Sequence, residues 1–421
     1  MLTQAEIAAK ADEVLARCRK LASFSEDSGS TRRTFLSAPM RDCHRELGSW
    51  MSRIGMNVSV DAAGNLRGFY SGSAPEAPRL VLGSHLDTVP NAGAYDGILG
   101  VVAAITLIEA LDAQKLPFAV EVLGFSEEEG VRFGVPFIGS RALVGRLDDE
   151  VLGRRDAQGI SVREAIRQFG LDDNKIPQAA LPDDVLGYVE FHIEQGPQLE
   201  DLGQPLAVVE AIAGQSRLEL TFTGCANHAG TTPMNLRRDA LVAAAEWIVA
   251  VENAALAVGG LVATVGTISV KPGATNAIAG ETCVSLDVRH AVDEVRSAAV
   301  QNLTRQAEEI VKRRGLSVLA KQSLNQPAVA MDAFLTQQIA RAMRASGCAA
   351  HRLVSGAGHD AMILAERVPA AMIFLRTPGG VSHHPSETVL AEDVAKALAC
   401  GEQLLQQLAA SSEFLKRTCR A

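Results

Sequence analysis

Hydrophobic residues recur at helical spacing over about Glu6 to Ala22 and again over about Met40 to Ile54, with charges between them. Both stretches are expected to be amphipathic helices. Met56 to Tyr70 instead alternates and turns at Ala63-Gly64-Asn65, the pattern of a hairpin. From Arg79 onward the apolar runs become continuous. Arg79-Leu80-Val81-Leu82, Ala119 to Leu123, Gly187 to Ile193 and Ala370 to Leu375 read as strands, and about Gly100 to Ala113 as a helix. Unbroken apolar strands joined through a helix predict a parallel sheet covered on both faces.

A segment with a different grammar interrupts this pattern. Arg217 to Thr223 alternates as a half-buried strand, and Asp239 to Leu256 is a long Ala-rich helix. Leu261 to Val270 and Glu281 to Val288 read as strands, Ala291 to Arg314 as a helix and Leu316 to Lys321 as a last strand. The order β-α-β-β-α-β is the ferredoxin-like arrangement. The expected fold class is therefore α/β. A larger α/β/α domain, residues 1–212 joined to 327–421, carries a small inserted ferredoxin-like α+β domain at 213–326.

Composition narrows the function classes. A chain of 421 residues exceeds the usual single core, in line with two domains. A net charge of −9 without a basic run argues against a nucleic-acid partner. Seven scattered cysteines (18, 43, 225, 283, 348, 400 and 419) form no CxxC pair and read as reduced thiols. The N-terminal helix lacks the apolar core of a signal peptide, and no window approaches the roughly 18 apolar residues of a membrane span. A cytoplasmic enzyme without a membrane partner is the expectation.

The chemistry gathers at strand ends, where open α/β sheets build their sites. His85 and Asp87 follow the Arg79 strand, and the loop runs on to Asp96 before the Gly100 helix. Glu127-Glu128-Glu129 follow the Ala119 strand, His192 ends the Gly187 strand, and His383-His384 lie beyond Ala370 to Leu375. Imidazoles suit a borderline cation, and a bridging carboxylate offsets the repulsion between two dications about 3.5–4 Å apart. Asp96 is the natural bridge. Of adjacent glutamates, one can bind metal while its neighbour takes a proton from water. Asp87, two residues from His85, is placed to orient that imidazole. A lone His-x-Asp or a Glu run is more often structural or solvated; the recurrence at four strand ends is what favours a site. His44, His290 and His351 lack this context and read as surface or helix residues.

With these residues assembled, the chain resembles the M20 metallopeptidase superfamily, in its hydantoinase/carbamoylase branch. The motifs are Gly83 to Val89 (GSHLDTV), Tyr95-Asp96-Gly97, Phe125 to Phe133 (FSEEEGVRF), Phe191 to Gln195 (FHIEQ), Asn227 to Pro233 (NHAGTTP), Asn276-Ala277-Ile278, Gly356 to Asp360 (GAGHD) and Ser382 to Glu387 (SHHPSE). The resemblance implies two divalent cations per chain, with Zn, Mn, Co and Ni all compatible. It implies His85, Asp96, Glu129, His192 and His383 as ligands, Asp96 bridging, and Glu128 as general base. The run Glu127–Glu129 permits a shift of one position, and the family's Glu-Glu-Gly pattern selects 128 and 129. His384 competes with His383, and the Ser-His-x-Pro pattern selects His383.

The resemblance also implies a lid that dimerises and faces the substrate. His228, donated across the dimer in that family, would stabilise the oxyanion, a structural cap before Pro233 being the bland alternative. Asn276 would bind the substrate or the reacting oxygen, and Arg289 the substrate carboxylate through its guanidinium fork. Arg217, Gln195, Gly358 and His359 would make further contacts; alone, the two arginines read as solvated strand ends. The expected reaction is hydrolysis of the carbamoyl C–N bond of allantoate or a related N-carbamoyl amino acid. An N-carbamoyl-L-amino acid hydrolase or β-ureidopropionase is the alternative. An aminoacylase, a dipeptidase or a non-catalytic homologue is further away.

Overall fold

The structure is a computed structural model that describes residues 2–417; Cys419 lies outside them. Helices α1 (Gln4–Ala22) and α2 (Ala38–Arg53) open the chain. Thr3 and Glu6 cap α1 reciprocally, and Ser37 caps α2 just before Pro39. The expected hairpin is β1 (Asn57–Val60) and β2 (Leu66–Tyr70). Then come β3 (Arg79–His85), α3 (Ile98–Ala110), β4 (Ala119–Phe125), β5 (Val185–Ile193) and β6 (Leu206–Ile212). Near the C-terminus lie α4 (Ala333–Ala345), β7 (Ala370–Leu375) and α5 (Ala391–Ala409).

The chain forms two compact units. Residues 2–210, 331–353 and 359–417 make the first; Ala211–Ala330 with Val354–Gly358 make the second. In the first, the sheet order is β1-β2-β4-β3-β5-β7-β6. Strands β4, β3, β5 and β7 run parallel. The hairpin and β6 add antiparallel edges, which the sequence pattern did not anticipate. Every residue of β4, β5 and β7 is buried, as for a sheet covered on both faces. Neighbours on β5 show the two layers: the Phe191 ring packs on Gly401 of α5, while Glu190 accepts from the Ala361 amide. Helix α3 is buried from Ile98 to Ile108, apolar all round because other helices and the sheet enclose it.

His44, expected as a surface or helix residue, is a buried helix residue whose two ring nitrogens have no hydrogen-bond partner. Burial, then the charges of Arg33 and Arg41, pulls it down from 6.5 to about 4. The folded pKa lies below the unfolded one, so its contribution is intact above about pH 6.5 and is lost as pH falls towards 4. That loss amounts to about 3 kcal/mol at most. The melting temperature of wild type should fall more steeply across this window than that of His44→Leu; parallel curves would refute the assignment.

The second unit has a sheet of two long central strands, Gly214–Thr223 and Glu281–His290, paired antiparallel over their length. Ser317–Gln326 joins one side, and two short strands the other. Leu261 to Val270 is thus not one strand: Val262–Thr264 and Ile268–Lys271 pair separately with Glu281–His290. Helices Ala240–Leu256 and Asp293–Arg314 close a core around Trp247, Phe222 and Leu303. Ala211-Ile212 pair with Val329-Ala330, so the chain enters and leaves this unit side by side.

Candidate metal centre

Parallel pairing brings four strand ends to one edge. His85, the last residue of β3, lies opposite Phe125 at the end of β4, and Glu127 to Glu129 follow. His192 lies opposite Phe374 of β7, and Gly83 opposite Glu190. The His85 and His192 rings therefore emerge side by side, their centroids 5.5 Å apart. Two glycines bring Asp96 to them. Gly97 has φ +68°, and a Cβ there would lie 2.5 Å from the His85 ring. A Cβ on Gly100 would lie 2.1 Å from the Phe191 carbonyl oxygen, so α3 can start this close to β5 only without one.

Each imidazole is fixed by the main chain. His85 Nδ1 is 2.9 Å from the Asp87 carbonyl oxygen, and His192 Nδ1 is 2.9 Å from that of Ile193. A carbonyl only accepts, so each Nδ1 carries the proton and each Nε2 presents a lone pair. The two Nε2 atoms face one another at 3.3 Å and lie 3.6 and 3.2 Å from Asp96 Oδ1. That oxygen is buried without a hydrogen-bond partner. Two lone pairs and a bare carboxylate oxygen around one point lack a positive charge, and a divalent cation fits them. The electrostatics agree: burial pulls His85 down, yet Asp87, Asp96 and Glu128 outweigh it and hold the ring well above its usual value.

The other Asp96 oxygen faces a second set. His383 Nε2 is 3.3 Å from Asp96 Oδ2 and 3.4 Å from Glu129 Oε1. Hydrogen bonds to Asp96 and Glu129 raise His383 to about 10, a proton standing where a cation would. His85–Asp96–His192 and Asp96–Glu129–His383 each gather one ligand atom per residue within 4.8 Å, with Asp96 common to both. His384 instead bonds Ser386 at 2.7 Å and joins no such group among the described residues. Gln195 Nε2 reaches Asp96 Oδ2 at 3.0 Å. Gln195 and His383 both hold left-handed backbone, φ 60° and 56°, conformations that surrounding structure must impose.

The Glu127–Glu129 run is not solvated. Glu127 and Glu128 are buried, and burial with the charge of Glu129 lifts Glu128 well above the usual carboxylate range. His85, Glu128 and Glu129 also fall within ligand distance of one another, whereas Glu127 joins no such group among the described residues. Asp87 orients His85, as its position suggested, and has further partners. Its main-chain carbonyl orients His85, while its carboxylate sits 3.6 Å from that ring and accepts the amides of Glu128 at 2.9 Å and Glu129 at 3.0 Å. Glu127 accepts the Val131 amide at 3.1 Å, holding the same turn from its far end.

Arg33 carried no sequence signal. Fully buried, it donates from Nε to the Leu86 carbonyl at 2.7 Å and from Nη1 to that of Leu21 at 2.9 Å. Its amide and carbonyl bond Thr88, fastening the loop after His85. His359 is buried edge-on against His192, centroids 4.4 Å apart.

The remaining candidates lie in the second unit, Gly358 in its 354–358 segment. Asn227-His228 pairs with Ala277-Ile278, bringing His228 beside Asn276, whose carbonyl accepts the Ala229 amide. His228 is exposed, and its Nδ1 accepts from the Gly230 amide at 3.0 Å, which leaves Nε2 as the donor. Arg217 lies opposite Asp287, and both Arg217 and Arg289 donate to that carboxylate at 2.9–3.1 Å. Arg289 also donates to the Gly356 carbonyl.

A model of peptidase family M20/M25/M40 matches residues 81–407. An allantoate deiminase 2 of Glycine max is 37% identical, with 94% of this chain and 89% of that protein covered. An N-carbamoyl-L-amino acid amidohydrolase of Geobacillus stearothermophilus is 40% identical, covering 88% and 91%. Among solved structures, an amidase of the hydantoinase/carbamoylase family from Burkholderia multivorans superposes with a TM-score of 0.89 at 30% identity, covering 94% and 97%.

Proposed function

The chain belongs to peptidase family M20/M25/M40, and on that premise we propose that it is a cation-dependent hydrolase of non-peptide C–N bonds, cleaving the carbamoyl group of allantoate or a related N-carbamoyl amino acid. One observation carries this reading: Asp96 is shared by two ligand triads while Glu128, buried beside them, belongs to neither. Two divalent cations, which His85, Asp96, Glu129, His192 and His383 would hold, would supply Lewis-acid polarisation of a carbonyl and acidify water; Zn is our first choice, with Mn, Co and Ni compatible with the donors.

The protein's own groups do the rest. Glu128 takes the proton of the attacking water and returns it to the leaving nitrogen. Asp87 and Glu127 hold the turn that aims it. His228, with Nε2–H free to donate, stabilises the oxyanion as it develops. Arg289 and Arg217 bind the substrate carboxylate, kept in orientation by Asp287, while Asn276, Gln195, Gly358 and His359 line the substrate. Ammonia, carbon dioxide and the amino product leave.

We place allantoate first, because the Asp87-Thr88-Val89 loop and the Phe125 to Phe133 motif take the form typical of allantoate amidohydrolases, and relatives of that name match over most of the chain. Carbamoyl amino acids are the second reading, favoured by the 40% identical relative. We also infer a homodimer through the second unit, whose surface exposes Met234, Leu236, Val249 and Leu256. A cytoplasmic location rests on the free cysteines. Ammonia release should be fastest from allantoate in a panel with N-carbamoyl-L-amino acids and N-carbamoyl-β-alanine. Negligible release from all three would sink the reading.

A further inference from the structure

The Ser382 to Glu387 motif ends in a glutamate to which nothing above gives a task. Glu387 is only 4% exposed, and its carboxylate does not lie among the ligand triads. Its Oε1 instead accepts two consecutive main-chain amides from the other end of the chain, Tyr95 at 3.0 Å and Asp96 at 3.1 Å. Its Oε2 lies 3.4 Å from Ser382 Oγ, and that hydroxyl lies 3.2 Å from Asp96 Oδ2. The carboxylate is packed directly on the segment before Asp96: a Cβ on Gly93 would come within 2.5 Å of Glu387 Oε1 and Cβ.

These contacts join two loops that each deliver a cation ligand. One carries His383, four residues before Glu387; the other carries Asp96, 291 residues away from it in sequence. The amides of Tyr95 and Asp96 are buried and need an acceptor, and a carboxylate taking both sets the height and tilt of the turn from which the Asp96 side chain leaves. Because Asp96 belongs to both triads, a small rotation of this turn moves both cation positions together.

We propose that Glu387 is a positioning residue for the hydrolytic centre, holding the bridging Asp96 in register with His383. The inference rests on the cation-dependent reading of this site. Its action is through hydrogen-bond acceptance rather than charge, so Glu387→Gln, which keeps a carbonyl oxygen for the two amides and an amide for Ser382, should preserve it. Glu387→Ala should not.

The test titrates each purified, cation-stripped variant with Mn²⁺ and follows hydrolysis of the preferred substrate in parallel. Glu387→Ala should bind Mn²⁺ about 10–100-fold more weakly and lose kcat by a similar factor, with KM held within about threefold. Glu387→Gln should recover both to within about threefold of wild type. Gly93→Ala, which removes no polar group but pushes the carboxylate off the turn, should reproduce the Ala variant's weaker binding. Wild-type Mn²⁺ affinity in Glu387→Ala would overturn the proposal, as would a Gln variant as impaired as the Ala variant. The titration needs no substrate, so an error in the assigned reaction would not be mistaken for an error about Glu387. A purely structural role would lower the melting temperature of all three variants while leaving Mn²⁺ affinity and kcat unchanged.

Discussion

Glu128→Gln leaves a protein that keeps its cations and its substrate affinity but turns over about 10²–10⁴-fold more slowly. The substitution is close to isosteric, and the Glu128 main-chain amide stays bonded to Asp87 at 2.9 Å, so the turn keeps its shape. What disappears is the carboxylate proposed to take the proton. Removing a neighbouring ligand has a different signature: Glu129→Gln should lower cation content as well as rate. Metal analysis of the two variants also shows which of the two glutamates is the ligand, since His85, Glu128 and Glu129 lie within ligand distance of one another. If Glu128→Gln lost a cation and Glu129→Gln did not, the two roles would have to be exchanged. If Glu128→Gln hydrolysed allantoate and N-carbamoyl amino acids at the wild-type rate, Glu128 would not be the base.

Asp96→Ala is expected to remove both cations and all measurable hydrolysis, because its two oxygens face different triads. Loss of one triad alone should be milder. His383→Ala leaves His85, Asp96 and His192 in place and should retain about one cation per chain of the two. Dialysis against a chelator should likewise abolish ammonia release, and readdition of Zn²⁺ or Mn²⁺ should restore it in wild type but not in Asp96→Ala. An Asp96→Ala protein that still carried two cations would refute the bridge.

The clustering of these side chains was legible because parallel strands with continuous apolar runs end at one edge, and His85, Glu128-Glu129, His192 and His383 each sit just at or after such an end. Partners were less legible than positions. Proximity in sequence placed Asp87 on His85, which its carbonyl meets, but its carboxylate also takes the amides of the next strand's loop, a contact set by pairing across some forty residues. Arg33 and Glu387 act on main-chain groups, and a hydrogen bond to a carbonyl or amide leaves no mark on the residue that receives it. Strand β6 is as apolar as its parallel neighbours, and only tertiary pairing makes it antiparallel. Leu261 to Val270 alternates well enough for one strand, yet its ends pair at separate places on the same partner.

The contact at Gly100 bears on how this protein meets its cations. Helix α3 starts against β5 with no side chain between them, so the Asp96 turn is mounted on a helix buried from Ile98 to Ile108 and a fully buried strand rather than on a loose loop. The packing of the fold thus fixes where the Asp96 turn stands. Cations that bind the native state and not the unfolded chain should add about 2.7 kcal/mol of stability at a hundredfold excess over Kd. Heat resistance thereby becomes a gauge of occupancy.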